Sequence, residues 1–522
     1  GVSFLRLKRS PWSVALVRDK ELALFSCRIV IDSNATKLSI IMAKPKSIGQ
    51  IYTPNYLVKV ILDFAGYSDH KILQKHVIDN SCGDGAFITE IVERYCHSFL
   101  LSSNNLSTLS KELSTYIHGI ELDTEEYLIC IENLNCITQK YGLSHIKWDI
   151  HNADALTIEY YDKKMDFVVG NPPYVRVHNL NNYDAVKKFH FAAKGMTDLF
   201  IVFFEVGFRM LSPNGTMCII TPSSWLSSKA GESLRKHIAY TQILNGVIDL
   251  EHFQPFKATT YTLISRFQNG VKSDYINYYR YNDIEFLSHI EKLFYQEINI
   301  KNNFYLATHK TLQVLQTIQN THVTKRVSVK NGFATLSDKI FIGSHIFEEC
   351  SIDIIKASTG RWTKCIFPYD GQAKPLSTET IQKKYSQTYS YLLSRKDLLQ
   401  KRDSDKSNWH LFGRTQALND VYKNKIAINT IIKDLSSIKL NYVPSGKGVY
   451  SGLYILTNID FNIIKNIIFT NEFIDFVKTL KNYKSGGYYT FSSKNLELFL
   501  NYKLKDYNDE QPTISENYLP FI

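Results

Sequence analysis

From about residue 46 to 270 the chain alternates short apolar runs with longer stretches whose apolar residues recur at three-and-four spacing. That alternation is the pattern of a parallel sheet covered by helices on both faces. Strands are predicted at His76 to Asp79, Ile117 to Glu121, Ile146 to Ile150, Asp166 to Gly170, Gly215 to Thr221, Gly246 to Leu250 and Tyr261 to Phe267. Ala86 to Leu100 and Leu199 to Leu211 read as helices that each lay one face on the sheet. The fold class is therefore α/β, with a mainly parallel sheet. Beyond about residue 270 the texture becomes a Tyr-, Lys- and Asn-rich mixture with turn clusters at Pro444-Ser445-Gly446-Lys447-Gly448 and Lys484-Ser485-Gly486-Gly487. No repeat at solenoid periods is present. With 522 residues the chain exceeds one hydrophobic core. Three segments are expected: an N-terminal extension (1–45), the sheet domain (46–275), and a linker with a second, α+β domain (276–522). Residues 1–41 lead into Met42-Ala43-Lys44-Pro45-Lys46, which reads like an ordinary chain start, so the extension is expected to lie outside the main fold.

Composition narrows the class of partner. Hydrophobic residues make up 44% and charged residues 21%, which argues against extensive disorder. Lysine and arginine number 61 against 50 acids, a net charge of +11 that leans toward a polyanion such as nucleic acid. The eight cysteines form no CxxC pair and no Cys/His cluster at zinc spacing, so reduced thiols and no metal are expected. No apolar run reaches the roughly 18 to 20 residues of a membrane span, and no secretory start is seen. A soluble, cytoplasmic protein is expected.

The chemistry concentrates at the ends of the predicted strands. Ile78-Asp79-Asn80-Ser81-Cys82-Gly83-Asp84-Gly85-Ala86-Phe87 runs from a strand through a small-residue turn into a helix, where Gly83 and Gly85 let backbone approach a ligand. The dinucleotide fingerprint GxGxxG is absent, because Ile88 stands at its third glycine, and no phosphate-loop lysine follows. Glu121, ending the next strand, could accept both hydroxyls of a ribose, and Asp154 could accept from an adenine amino group. Three successive strands thus end in an acid at the edge where α/β ligands bind. Asp166-Phe167-Val168-Val169-Gly170-Asn171-Pro172-Pro173-Tyr174 is a buried-type strand stopped by an amide, two prolines and an aromatic ring. The prolines stiffen the exit. The Asn171 side-chain oxygen and the Pro172 carbonyl could then accept both N–H groups of an exocyclic amine, draw it toward tetrahedral geometry and free its lone pair for attack on a methyl group. Tyr174 could stack on the base.

In this order the motifs resemble those of the DNA amino-methyltransferases, the class that makes N6-methyladenine in bacterial restriction-modification systems, over roughly residues 46 to 500. Gln50-Ile51-Tyr52-Thr53-Pro54 is similar to the amino-terminal cofactor motif, and cofactor segment first with DNA-reading part last resembles the gamma arrangement. The resemblance implies a Rossmann-like S-adenosylmethionine-dependent fold, with a C-terminal target-recognition domain. It also implies S-adenosylmethionine as methyl donor: Thr53 near its carboxylate, Asp79, Cys82, Gly83, Gly85 and Phe87 near its amino acid part, Glu121 on the ribose, Asp154 on the adenine and Asn171 at the methyl. The catalytic set would be Asn171, Pro172, Pro173 and Tyr174, with Phe256, or Phe253 beside it, against a flipped base. Thr197-Asp198-Leu199-Phe200 and Gly215 to Pro222 are similar to later core motifs. Trp409 to Gln416 and Ser485 to Ser493 resemble segments of recognition domains, with Arg414, Gln416 and Lys433 as candidates for base edges or phosphates. Expected partners are double-stranded DNA and a cognate restriction endonuclease acting separately; the chain itself is expected to be a monomer. A residue of the Asn type at 171 leans toward adenine N6. Cytosine N4, protein-glutamine and RNA guanine-N2 methyltransferases, or a non-catalytic DNA-binding subunit, remain the alternatives.

Overall fold

Strands β1 (Val77–Asp79), β2 (Ile117–Glu121), β3 (Asp149–Asn152), β4 (Met165–Gly170), β5 (Leu211–Pro222), β6 (Leu244–Asp249), β7 (Thr262–Gln268), β8 (Tyr275–Arg280) and β9 (Ser288–Phe294) build one sheet in the order β3-β2-β1-β4-β5-β7-β6-β8-β9. β7 pairs antiparallel with both β5 and β6, and β9 antiparallel with β8; the remaining neighbours run parallel. This computed structural model describes residues 52–177, 186–192, 197–256, 260–281, 288–402 and 408–507. The predicted extension, with Gln50 and Ile51, lies outside the described residues.

The period-two alternation of buried strands separates the two faces. Val77, Val169, Cys218 and Ile220 face one apolar cluster, which also takes in α1 (Asn55–Ala65), α2 (Ala86–Leu100), α3 (Leu106–Tyr116) and α4 (Thr124–Gln139). Their chain neighbours Ile78, Val168, Met217 and Ile219 face the other, with α5 (Leu199–Met210) and α6 (Glu232–Thr241). Covering both faces with helices is what a parallel sheet of this apolarity requires. The α2 bounds are those predicted, because the turn before it and its apolar spacing both mark the start. α4 is capped by Asp123, whose side chain accepts from the Glu125 and Glu126 amides at 2.9 and 3.1 Å. The third strand sits three residues later than its sequence pattern suggests. Its ladder to β2 begins at His118↔Asp149, and Trp148, donating to Asn135 at 2.9 Å, is tied to α4 as a lead-in.

Past the sheet, Ser328–Asn331, Leu453–Leu456, Lys425–Ile428 and Leu440–Val443 form a four-stranded sheet, and Arg361–Ile366, Ser351–Lys356 and Gly448–Tyr450 a three-stranded one. The helices Phe461–Ile468, Asn471–Thr479 and Ser493–Lys503 bury Ile464, Phe473, Phe476 and Phe499 in the same apolar cluster as α5. The part after the large sheet therefore mixes strands and helices, and residues 51–522 fall in one compact unit. Among the described residues no helix is long and apolar enough to cross a membrane.

At the amino ends of β1, β2 and β3 a hydrogen-bonded chain joins Tyr161, Asp149, His118 and His76: Tyr161 donates to Asp149 at 3.0 Å, His118 Nδ1 lies 2.5 Å from the same carboxylate, and His76 Nδ1 lies 2.8 Å from His118 Nε2. With His118 donating to Asp149, His76 must donate to His118 for the neutral chain to be complete. Burial and the neighbouring His118 ring hold His76 below its ordinary value of 6.5. The unfolded chain therefore takes up this proton first as pH falls, so stability contributed here is full above 6.5 and declines below it until the folded value is passed. Thermal melts between about pH 7.5 and 5.5 should show that decline, and His76→Gln should flatten it.

Candidate active site

The strand order reverses at β1. β2 and β3 extend to one side and β4 to the other, so the carboxyl ends of β1 and β4 flank the crevice where such sheets bind ligands. Register fixes what stands there. Val77 pairs with Phe167 and Ile78 with Val168, bringing Asp79 beside Gly170 and Asn171. Gly170 has φ +152°, and a Cβ there would lie 2.6 Å from Asp79 Oδ1. Only a glycine allows this approach.

Four acids at or just past the strand ends turn the chain in one way, each carboxylate accepting the backbone N–H two residues on. Asp79 accepts from Ser81 at 3.0 Å, Glu121 from Asp123 at 2.7 Å, Asp154 from Leu156 at 2.9 Å, and Asp249 from Glu251 at 2.9 Å. Glu121 also receives the Gly83 amide at 2.7 Å, which clamps the β1 turn onto the end of β2. In that turn Gly83 has φ +53° with open space where a Cβ would point, whereas a Cβ at Gly85, φ +89°, would meet Cys130 Sγ at 2.8 Å. Gly83 thus leaves open space beside the turn, and Gly85 lets the turn pack on α4. Cys82 and Phe87 are buried in the apolar cluster beneath the turn. The Cys82 thiol is pushed up by its hydrogen bond with Cys130 and by burial, which leaves it unreactive. Burial, with Glu121 nearby, pushes the Asp79 carboxyl up to about 7 against the opposing Ser81 amide; Glu121 is also raised by burial.

The β4 exit meets the segment before α1. Asn171 Nδ2 donates to the buried Thr53 hydroxyl at 3.1 Å, which orients the amide with nitrogen toward Thr53 and oxygen on the other side. The Ser81 hydroxyl lies 3.5 Å from the Asn171 carbonyl. Pro172 is buried, while Pro173 and Tyr174 are half-buried. The Tyr174 hydroxyl donates to the Ile220 carbonyl at 3.2 Å, and its ring meets Phe200 and Phe256 edge-on, with centroids 6.2 and 6.3 Å away. Phe256 is buried, and Phe253 packs on Tyr281 at 5.0 Å. Beyond Tyr174 opens a cleft of about 460 Å³ bounded by Phe200, the Ser223–Ser228 turn, Tyr261 and residues 480–483.

The structure thus brings Thr53, Asp79, Gly83, Glu121, Asn171 and Tyr174 to one edge of the sheet. Asp154 lies half-buried just past β3 on the same edge. The three residues picked for nucleic-acid contact lie in the C-terminal part. Arg414 is exposed, the Gln416 amide donates to the Gly332 carbonyl, and Lys433 donates to the Gly486 carbonyl at 3.3 Å. Sequence reading passed over Asp249, although it is a fourth acid-ended strand, and over Lys481, which reaches it across the fold. Lys481 Nζ lies 3.2 Å from Asp249 and 2.9 Å from Glu251. Among the described residues no group of three or more His, Cys, Asp or Glu could hold a metal ion.

A mixed, mainly parallel sheet with helices on both faces, acid-ended strands and an Asn-Pro-Pro-Tyr exit is the α/β methyltransferase fold. Residues 34–256 match the model of the Eco57I restriction-modification methylase family. The type II methyltransferase M.BstVI of Geobacillus stearothermophilus is 33% identical over 224 residues, 40% of this chain and 39% of the relative. M.XhoI of Xanthomonas vasicola is 29% identical over 231 residues, 42% of this chain and 41% of the relative. The matched stretch therefore spans less than half the length of either relative. The type IIL restriction-modification enzyme MmeI, solved in complex with DNA, shares the fold: TM-score 0.58 at 13% identity, over 86% of this chain and 65% of that one.

Gly170→Ala tests the close approach of β1 and β4. A side chain in this backbone region, overlapping the Asp79 carboxylate, should cost at least about 1 to 3 kcal/mol, read as a lower urea midpoint at unchanged slope.

Proposed function

We propose that this chain is a DNA methyltransferase that moves the methyl group of S-adenosylmethionine to the N6 amino group of an adenine rotated out of the duplex. One observation carries the reading: the Asn171-Pro172-Pro173-Tyr174 exit stands beside the Asp79 turn at the strand reversal, with the Asn171 amide oriented by Thr53. The family match, and the restriction-modification methyltransferases that resemble this stretch, support it.

The residues present fit the donor. The space over Gly83 can take its amino acid portion, Asp79 and the Thr53 hydroxyl offer polar partners there, and Glu121 and Asp154 line the way toward a nucleoside. When bound, S-adenosylmethionine supplies an electrophilic methyl on sulfonium. The chain's own part is to present acceptors. The Asn171 side-chain oxygen and the Pro172 carbonyl take the two amino hydrogens, which localises the nitrogen lone pair for direct displacement. Tyr174, held edge-on by Phe200 and Phe256, offers its ring to the extruded base. Rotating a base out costs a few kcal/mol, which contacts in this slot offset. The partner is double-stranded DNA, approached by a basic chain whose C-terminal part carries Arg414, Gln416 and Lys433.

Asn171→Ala should abolish transfer of labelled methyl to unmethylated bacterial DNA while leaving donor affinity, measured by calorimetry, within about threefold, a difference under about 0.7 kcal/mol. Unchanged turnover excludes this chemistry. Asp79 gives a pH test. Its ionised form favours a cationic donor, so donor affinity should rise with pH through about 7 and level off above it, and Asp79→Asn should remove that dependence.

A further inference from the structure

The cleft beside Tyr174 has one wall from a distant part of the chain. Residues 480–483 follow the helix Asn471–Thr479 and lie across the carboxyl edge of β6, the edge that also carries Asp79, Glu121 and Asn171. Lys481 makes the attachment. Its ammonium reaches Asp249 at 3.2 Å, Glu251 at 2.9 Å and the Tyr278 hydroxyl at 3.3 Å, and Arg280 Nε lies 3.0 Å from the same Glu251 oxygen. The Lys481 side chain is 15% exposed and that of Asp249 5%. Asp249, this far from water, needs the cation, since a buried charge without its partner is costly, whereas Glu251, 31% exposed, is also held by Arg280.

What the attachment holds is specific. Asp249 and Glu251 begin the β6–β7 connection, the segment that carries Phe256 to the Tyr174 ring. Tyr483, two residues beyond Lys481, packs on His252 at 4.8 Å and on Tyr261 at 4.9 Å. One short C-terminal strap therefore grips both stems of the connection that backs the catalytic tyrosine, and it also walls the cleft.

Resting on the methyltransferase reading, we infer that Lys481 is a positioning residue: it latches the 480–483 strap to the Asp249–Glu251 turn, and so completes the cleft that receives the extruded base from both halves of the chain. Among the described residues the Lys481 ammonium bonds to Asp249, Glu251 and Tyr278, none of which lies in the donor-side stretch from Thr53 to Asp154. Its effect should fall on the nucleic-acid substrate and spare the donor.

The test uses the full chain with Lys481→Met and Lys481→Arg. For Lys481→Met, the KM for unmethylated bacterial genomic DNA should rise at least about tenfold, about 1.4 kcal/mol, with donor affinity within about twofold of the parent. Lys481→Arg, which keeps the charge, should return KM to within about threefold of the parent value. Hydrogen exchange should show faster opening of residues 250–256 in Lys481→Met with α2 unchanged. Unchanged KM, or loss of donor binding in step with DNA, overturns the latch. Should the parent chain transfer no methyl to DNA, the methyltransferase reading fails, and exchange alone decides: unaltered protection of residues 250–256 then overturns the latch.

Discussion

The parallel pairing of β1 with β4 is the constraint on which the site depends. It places the ends of two strands, 90 residues apart in sequence, side by side, so the turn after Asp79 and the elbow after Gly170 share one crevice. The pairing is intolerant. Gly170 must lack a side chain because Asp79 fills the space, and Asp79 sits 1% exposed against it. A carboxyl held near 7 instead of 3.8 has its ionised form disfavoured by on the order of 4 kcal/mol. Such a group does not stabilise the fold through its charge; under the proposed function it would serve the donor.

Around that pairing the acids serve two ends. Each strand-end carboxylate turns the chain by accepting an amide two residues on, which sharpens the strand exit. Each also stands at the carboxyl edge of the sheet, the edge at which α/β folds bind ligands. Glu121 shows both at once, with one oxygen on its own turn and the other on the Gly83 amide of the neighbouring strand's turn. The glycine turn is therefore held in shape from β2, and a substitution at Glu121 acts on the turn as well as on anything bound beside it.

Much of this was legible in the sequence, for local reasons. A strand that runs into small residues and then into a helix leaves its mark within a dozen residues, so β1, α2 and the Asp79 turn were readable together. The Asn171-Pro172-Pro173-Tyr174 elbow was equally plain, since prolines end a strand wherever it lies. The third strand was misplaced by three residues because Ile146, Trp148 and Ile150 alternate as a strand would, while the ladder to β2 starts only at Asp149. The Lys481 latch left no signal. Its partners lie 230 residues apart, with no periodicity to announce the contact, and a lysine after a helix reads as solvated surface. Gln416 and Lys433, both exposed, also donate to backbone carbonyls within the fold, contacts that the sequence pattern does not announce.

The chemistry proposed for the elbow has one direct readout, the atom that receives the methyl group. Unmethylated bacterial DNA incubated with the protein and S-adenosylmethionine labelled in its methyl, then digested to nucleosides and resolved by mass spectrometry, reports it. Label in N6-methyladenine is the expected result. Label confined to N4-methylcytosine would contradict the choice of adenine, and DNA left unlabelled while protein or RNA substrates become methylated would contradict the assignment of the elbow to a DNA base.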